Sequence, residues 1–244
     1  RVSRGIQYDN YWVSKSSGSS VVEYNDISYT KRGILQNLFY GTGSLFEIKN
    51  NTLTAASSPE SANVGLLYWS IASGITATAT DNTINAGENG ARIWNCQGNV
   101  SINGGTINGG QIGVYVVTTD AYGNGTVQNA SVNNVTITGS SASGDVGVKV
   151  YSHQSGLASS LTVNNNCSIS GYDNGILAEG ADVSVTVTNN LATITGNDVG
   201  IRVKDGADLA SVSGNTITNN NLGGIIIEST AGTIGIINNN TISG

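Results

Sequence analysis

A glycine followed by an apolar, a variable and an apolar residue recurs from one end of the chain to the other. It reads Gly90-Ala-Arg-Ile, Gly113-Val-Tyr-Val, Gly147-Val-Lys-Val, Gly175-Ile-Leu-Ala, Gly200-Ile-Arg-Val and Gly224-Ile-Ile-Ile, with weaker copies at Gly5, Gly33 and Gly65. A second motif lies several residues upstream of the next glycine: Asn25-Asp-Ile, Asn51-Thr-Leu, Asn82-Thr-Ile, Gly105-Thr-Ile, Val135-Thr-Ile, Cys167-Ser-Ile, Ala192-Thr-Ile, Asn215-Thr-Ile and Asn240-Thr-Ile. A sustained period of about 25–27 residues confines a chain to a stacked architecture, because one such unit cannot bury its apolar face without neighbours.

Within each unit, apolar and polar residues alternate over three or four positions and then break at Gly, Asn or Asp, the pattern of short strands with one buried face. A third run, such as Leu161-Thr-Val163, Val183-Ser-Val185-Thr-Val187 or Ile234-Gly-Ile236, completes the unit. Three strands and three bends per repeat predict an all-β, right-handed parallel β-helix of about nine coils with uncapped ends, stacked at roughly 4.8 Å per coil into one rod. The whole of 1–244 reads as a single solenoid segment. Asn25, Asn51, Asn82, Asn215 and Asn240 share one repeat position, where amides of successive coils would hydrogen-bond as a ladder. Gly105, Val135, Cys167 and Ala192 are expected to interrupt it.

Composition narrows the function classes. Only 11% of residues are charged and the net charge is -6, so no basic field is present to displace counterions from a phosphate backbone, and nucleic-acid binding is not expected. No run approaches the roughly 18 apolar residues of a membrane-spanning helix, so membrane insertion is not expected either. Two cysteines, Cys96 and Cys167, have neither disulfide-framework nor metal-ligand spacing and read as small apolar fillers.

The units Asn240-Thr-Ile-Ser-Gly and Gly200-Ile-Arg-Val resemble the β-helix repeat of the pectate-lyase-like superfamily along nearly the whole chain. That resemblance implies the fold and a range of roles, among them polysaccharide lyases, glycoside hydrolases, uronan epimerases, tailspikes and surface adhesins. The paired aspartates and Gly-His-Gly of the polygalacturonase-like members are absent, and the one histidine sits in Ser152-His153-Gln154. Neither an Asp-Pro-His-Glu site nor a calcium-binding Gly-Gly-x-Gly-x-Asp nonapeptide occurs.

Alternation from the repeat glycine places one outward column that gathers much of the aromatic and basic content: Trp69, Arg92, Trp94, Tyr115, Lys149, Tyr151, Arg202 and Lys204. Aromatic groups pack on sugar rings and Arg or Lys engages carboxylates, so these eight residues are the expected contacts for a polysaccharide or cell-surface glycan. The loops 117–127 and 152–160 would bring Tyr122 and His153 beside them. Were the chain a lyase, Lys149 or His153 would be the base and Arg202 a carboxylate partner. No cofactor or metal is expected: Asp145, Asp173 and Asp198 each precede a repeat glycine by two residues, where turn chemistry is the leading reading and calcium ligation the alternative.

The chain starts at Arg1 and finishes in half a repeat, Asn240-Thr-Ile-Ser-Gly244, which its first residues would complete. This predicts either excision from a longer rod or end-to-end self-association into filaments. The expected protein is an extracellular or surface-exposed structural and adhesive module with glycan contact along one face. The alternatives are a lyase or epimerase acting on an acidic glycan, and a filament subunit.

Overall fold

A computed structural model describes residues 2–9, 19–37, 45–119, 127–140, 142–153, 156–191 and 193–244. Every strand pair in it is parallel, and no helix occurs among the described residues. The chain winds into a parallel β-solenoid of about eight turns. The nine rungs of its free-standing sheet enclose eight intervals, which reconciles this count with the nine coils expected.

Each coil contributes one strand to this nine-stranded sheet, whose rungs include Leu45–Lys49, Thr76–Thr80, Ser159–Asn164 and Asp208–Ser213. The other two strands of the coil join a 17-stranded sheet. One is the short Thr-Ile-x strand, as in Thr83–Ala86 or Thr193–Thr195, and the other follows the repeat glycine, as in Asn89–Trp94 or Val199–Lys204. These two merge into one strand, Asp26–Asn37, near the start of the chain.

Register stacks like on like. Leu53, Ile84, Ile107, Ile137, Ile169, Ile194, Ile217 and Ile242 succeed one another up the Thr-Ile-x strands. They face Ile34, Leu66, Ala91, Val114, Val148, Ile176 and Ile201 from the glycine strands. All seal one continuous core apart from Ile242, which is 49% exposed in the last rung. Bulk is traded between strands of a coil: Ala77 and Ala79 stand where the preceding rung has Phe46 and Ile48, and the fully buried Tyr68 occupies the same turn. At crystal-like packing density such compensation is required.

The repeat glycines have a steric cause. A Cβ on Gly90 would lie 2.5 Å from the carbonyl oxygen of Gly113, and one on Gly113 would lie 2.5 Å from both Gly147 O and Ile137 Cγ2. The same approach recurs from Gly5 to Gly200, so at this corner the backbones of adjacent coils and the ladder isoleucine leave no room for a side chain. Left-handed backbone falls elsewhere. It occupies the residue just before the asparagine-ladder position in every coil, as at Asn50, Asp81, Asn134, Asn189 and Asn239 with φ between 51° and 55° and at Gly104 and Gly214, where Asn and Asp are the side chains tolerated best after glycine.

The ladder itself is more complete than the sequence reading allowed. Asn25 Nδ2 donates to Asn51 Oδ1 at 2.9 Å, and Asn51 Nδ2 to Asn82 Oδ1 at 3.0 Å. In the later coils Asn190 holds the position, Ala192 lying outside the described residues: Asn190 Nδ2 donates to Asn215 Oδ1 at 2.9 Å, and Asn215 Nδ2 to Asn240 Oδ1 at 3.0 Å. A longer connection between Asn190 and Thr193 had disguised the alignment. Cys167 continues this ladder, since its amide donates to Asn190 Oδ1 at 2.9 Å and its thiol to Asn164 O and Val132 O at 3.2 and 3.3 Å. Cys96 likewise bonds a bend carbonyl, Trp94 O, at 3.3 Å. Both thiols are buried and free, and burial pushes Cys96 up to about 12 against the opposing pull of backbone contacts at Ile71, Trp94 and Ser70. They are bend-satisfying groups, beyond the filler role expected of them. A second, shorter ladder runs from Asn197 to Asn220.

Two substitutions separate the steric from the conformational role of glycine. Gly90→Ala is expected to cost about 1–3 kcal/mol by overpacking, whereas Gly74→Ala, with φ of +84° and nothing within 4 Å of the new carbon, is expected to cost about 1 kcal/mol of backbone strain. Asn215→Ala removes the side-chain partner of the buried Asn190 N–H and of the Val187 carbonyl and is expected to cost about 3 kcal/mol, against under about 0.5 kcal/mol for the exposed Asn108→Ala. Denaturant titration of the four variants measures all of these.

Candidate functional site: an outer aromatic and cationic strip

The strands that follow the repeat glycines turn alternate residues outward, and pairing puts those residues into two columns. One runs Leu35, Leu67, Arg92, Tyr115, Lys149, Leu177, Arg202, Ile226; the other runs Asn37, Trp69, Trp94, Val117, Tyr151, Glu179, Lys204. All eight residues expected to contact a ligand therefore share one face, and all eight are partly exposed. Leu35, Leu67 and Val117 stand in the same columns yet are at most 2% exposed. Leu35, Leu67 and Val64 form a separate apolar cluster outside the main core, with Trp69 and Trp94 packed against it.

Side chains along the strip engage one another. Trp69 and Trp94 stack with centroids 5.4 Å apart and planes 17° apart. The Arg92 guanidinium carbon lies 4.5 Å from the Trp94 ring centroid and 5.2 Å from that of Tyr115. Lys149 Nζ is 5.9 Å from the Tyr115 ring and 5.0 Å from the Tyr151 ring, within cation–π range. His153 is exposed and meets Tyr151 edge-on at 4.7 Å. Tyr122 lies outside the described residues.

Ion pairs extend the chain of contacts. Lys149 Nζ is 2.9 Å from Glu179 Oε2, Lys204 Nζ is 3.4 Å from Glu179 Oε1, and Arg202 Nε is 3.6 Å from Glu228 Oε1. Partial burial opposes ionisation of Glu179, but the hydrogen bonds and charges of Lys149 and Lys204 outweigh it and hold this carboxyl below its usual value. Burial pushes the Tyr115 phenol up to about 12, with Arg92 opposing. Burial also lowers Arg92, although Tyr115 and Glu88 favour its charge.

Of the three lyase candidates, Lys149 and His153 meet at the Tyr151 ring, whereas Arg202 stands apart from them. Lys149 is clamped by Glu179 and two rings, Arg202 is two coils further on with Glu228, and His153 packs on Tyr151. Asp145, Asp173 and Asp198 do line up in consecutive coils, where their carbonyls accept from Asn174, Val199 and Leu222. Their carboxylates accept from Ser140 Oγ, Gly144 N and Asn221 Nδ2 respectively, which is bend chemistry. No set of three or more His, Cys, Asp or Glu side chains gathers into a metal cluster among the described residues.

Alternation missed two residues of this face. Arg4 and Arg32 precede a glycine, and simple counting would turn Arg32 inward with Ile34. The chain bends at the glycine corner, however, so this position lies outside the core, as Val64 shows by packing with Leu35 and Leu67. No local pattern set them apart, because Val64, Ile112, Val146 and Val199 hold the same repeat position as Arg4 and Arg32.

No protein-family model, curated protein or solved structure matches the chain. The β-solenoid is therefore established by the coil geometry alone.

Because the Glu179 carboxyl lies below its ordinary value in the fold, its stabilising contribution is present above the usual carboxylate range and is lost as pH falls through the folded value. Glu179→Gln is expected to cost up to about 1 kcal/mol near neutrality, the scale of a partly exposed pair. The difference from wild type should shrink at about pH 3, as unfolding titrations at both pH values would show.

Proposed function

We propose that this protein is a rigid, surface-exposed β-helical scaffold of the pectate-lyase-like kind that holds a linear glycan along the outer strip, acting as an adhesive module without turnover. The supporting observation is the mutual engagement of the strip. Lys149, Arg202 and Lys204 are each tied to a carboxylate and Arg92 lies between two rings. Groups preset in this way lose little freedom on binding, which favours recognition, whereas elimination needs a base free to take a proton.

A polymer lying along the solenoid axis would meet ring edges and charged hydrogen-bonding groups in alternation, coil after coil. Sugars present the same alternation of C–H faces and hydroxyls. Stacking of Trp69 on Trp94 leaves edges rather than free faces toward solvent, so hydroxyl contacts with Arg92, Lys149 and Glu179 carry more of the recognition than ring-on-ring stacking.

Retention on immobilised neutral and acidic polysaccharides, monitored together with ultraviolet absorbance from unsaturated uronates, tests this reading. Retention without absorbance is expected. Trp94→Ala should weaken binding about tenfold, equivalent to about 1.4 kcal/mol, while Thr138→Ala, on a Thr-Ile-x strand away from the strip, should leave it unchanged. Rising absorbance, or retention indifferent to Trp94, would overturn it.

A further inference from the structure

The strip is charge-balanced at one end and not at the other. Lys149, Arg202 and Lys204, in the later coils, all have carboxylate partners. In the first four coils Arg4, Arg32 and Arg92 have none among the described residues. Arg4 and Arg32 are directly paired across adjacent strands, so their side chains leave the same face one strand spacing apart. Arg92 is two rungs beyond Arg32, past Val64 and Leu67 of the intervening coil.

Arg32 and Arg92 are both partly buried, and the buried Arg92 Nε has no hydrogen-bond partner. Arg4 Nη1 donates to Gln7 Oε1 at 2.8 Å. Burial and the like charges of Arg4 and Arg92 all lower Arg32. Arg4 and Arg32, side by side without an ion pair among the described residues, and Arg92 beyond them, with Glu88 as its one longer-range acidic neighbour among the described residues, carry in this chain of net charge -6 an electrostatic cost that a bound anion reduces. Guanidinium forks match the oxygens of tetrahedral oxyanions in a bidentate manner, and three such donors suit a multiply charged group.

We infer that Arg4, Arg32 and Arg92 form an oxyanion site that takes a sulfate or phosphate ester carried by the ligand of the strip. The inference rests on the glycan-binding reading for the identity of the carrier and on the arginines alone for the anion. It makes the strip directional: the esterified end of a ligand lies over the first coils, and its neutral hydroxyl-rich part over the ion-paired coils.

The test uses Arg4→Gln/Arg32→Gln, a double variant outside the aromatic ladder, with Lys49→Gln as a control of equal charge change per site on the other sheet. Sodium sulfate and sodium phosphate are compared with sodium chloride at equal ionic strength. General salt effects act on both proteins, so the excess rise in Tm of wild type over the double variant isolates the site. An excess of about 2 °C or more is expected, with Lys49→Gln behaving as wild type. Titration with dextran sulfate and with phosphorylated dextran then shows which ester is preferred, and affinity for the preferred one should fall about tenfold or more in the double variant. Equal Tm shifts in wild type and double variant overturn the inference. So does an excess shift with ester-dextran affinity unchanged by the variant, which would mean an adventitious ion only. Retention of a neutral polysaccharide through Trp94 is read separately, so the strip and its anionic end fail independently.

Discussion

Backbone passing over backbone at the repeat glycine is the contact on which the rest of this solenoid depends. The carbonyl oxygen of each glycine lies so near the next that any Cβ between them would overlap it, and the isoleucine of the Thr-Ile-x strand closes the remaining space. This corner joins the two strands that share the larger sheet, and it brings the paired isoleucine and valine columns face to face. It also turns the residue before the glycine to the outside, which puts Arg4 and Arg32 beside the outer aromatic and cationic strip. One steric requirement thus shapes both the interior and the surface.

Bends on the other side of the coil follow a different physics. There the problem is unsatisfied backbone, because each turn away from a strand leaves buried N–H and carbonyl groups without a ladder partner. A left-handed residue followed by an inward amide solves it: Asn215 accepts from the Asn190 N–H and donates to Val187 O. A thiol does the same at Cys167, with weaker bonds. The ladder breaks where Gly105 and Val135 stand, and those coils still close, since backbone hydrogen bonds such as Thr136 N to Gly105 O continue the stack.

On the outer face the balance of forces is electrostatic. Four cations in columns of neighbouring strands would repel one another unless screened or paired, and the later coils place Glu179 between Lys149 and Lys204. Rings do the corresponding work for Arg92. Side chains so engaged lose their conformational entropy on folding. The first coils depart from this balance, because Arg4 and Arg32 there make no ion pair among the described residues.

Much of this was present in the sequence. The period, the number of strands per turn, the parallel stacking and the outward columns from Trp69 to Lys204 follow from alternation and from glycine spacing, because pleat and bend are local properties of a few consecutive residues. The tertiary structure decided what depends on neighbours one coil away. It set Asn190 into the ladder, buried Leu35, Leu67 and Val117 on a nominally outer face, and tied Lys149 and Lys204 to one carboxylate. Residues 23 to 31 positions apart meet across these coils, and connections of unequal length shift their alignment in ways that no local pattern records. The corner at each glycine then reverses the count of inward and outward, so Arg32 was legible only once the path of the backbone was known.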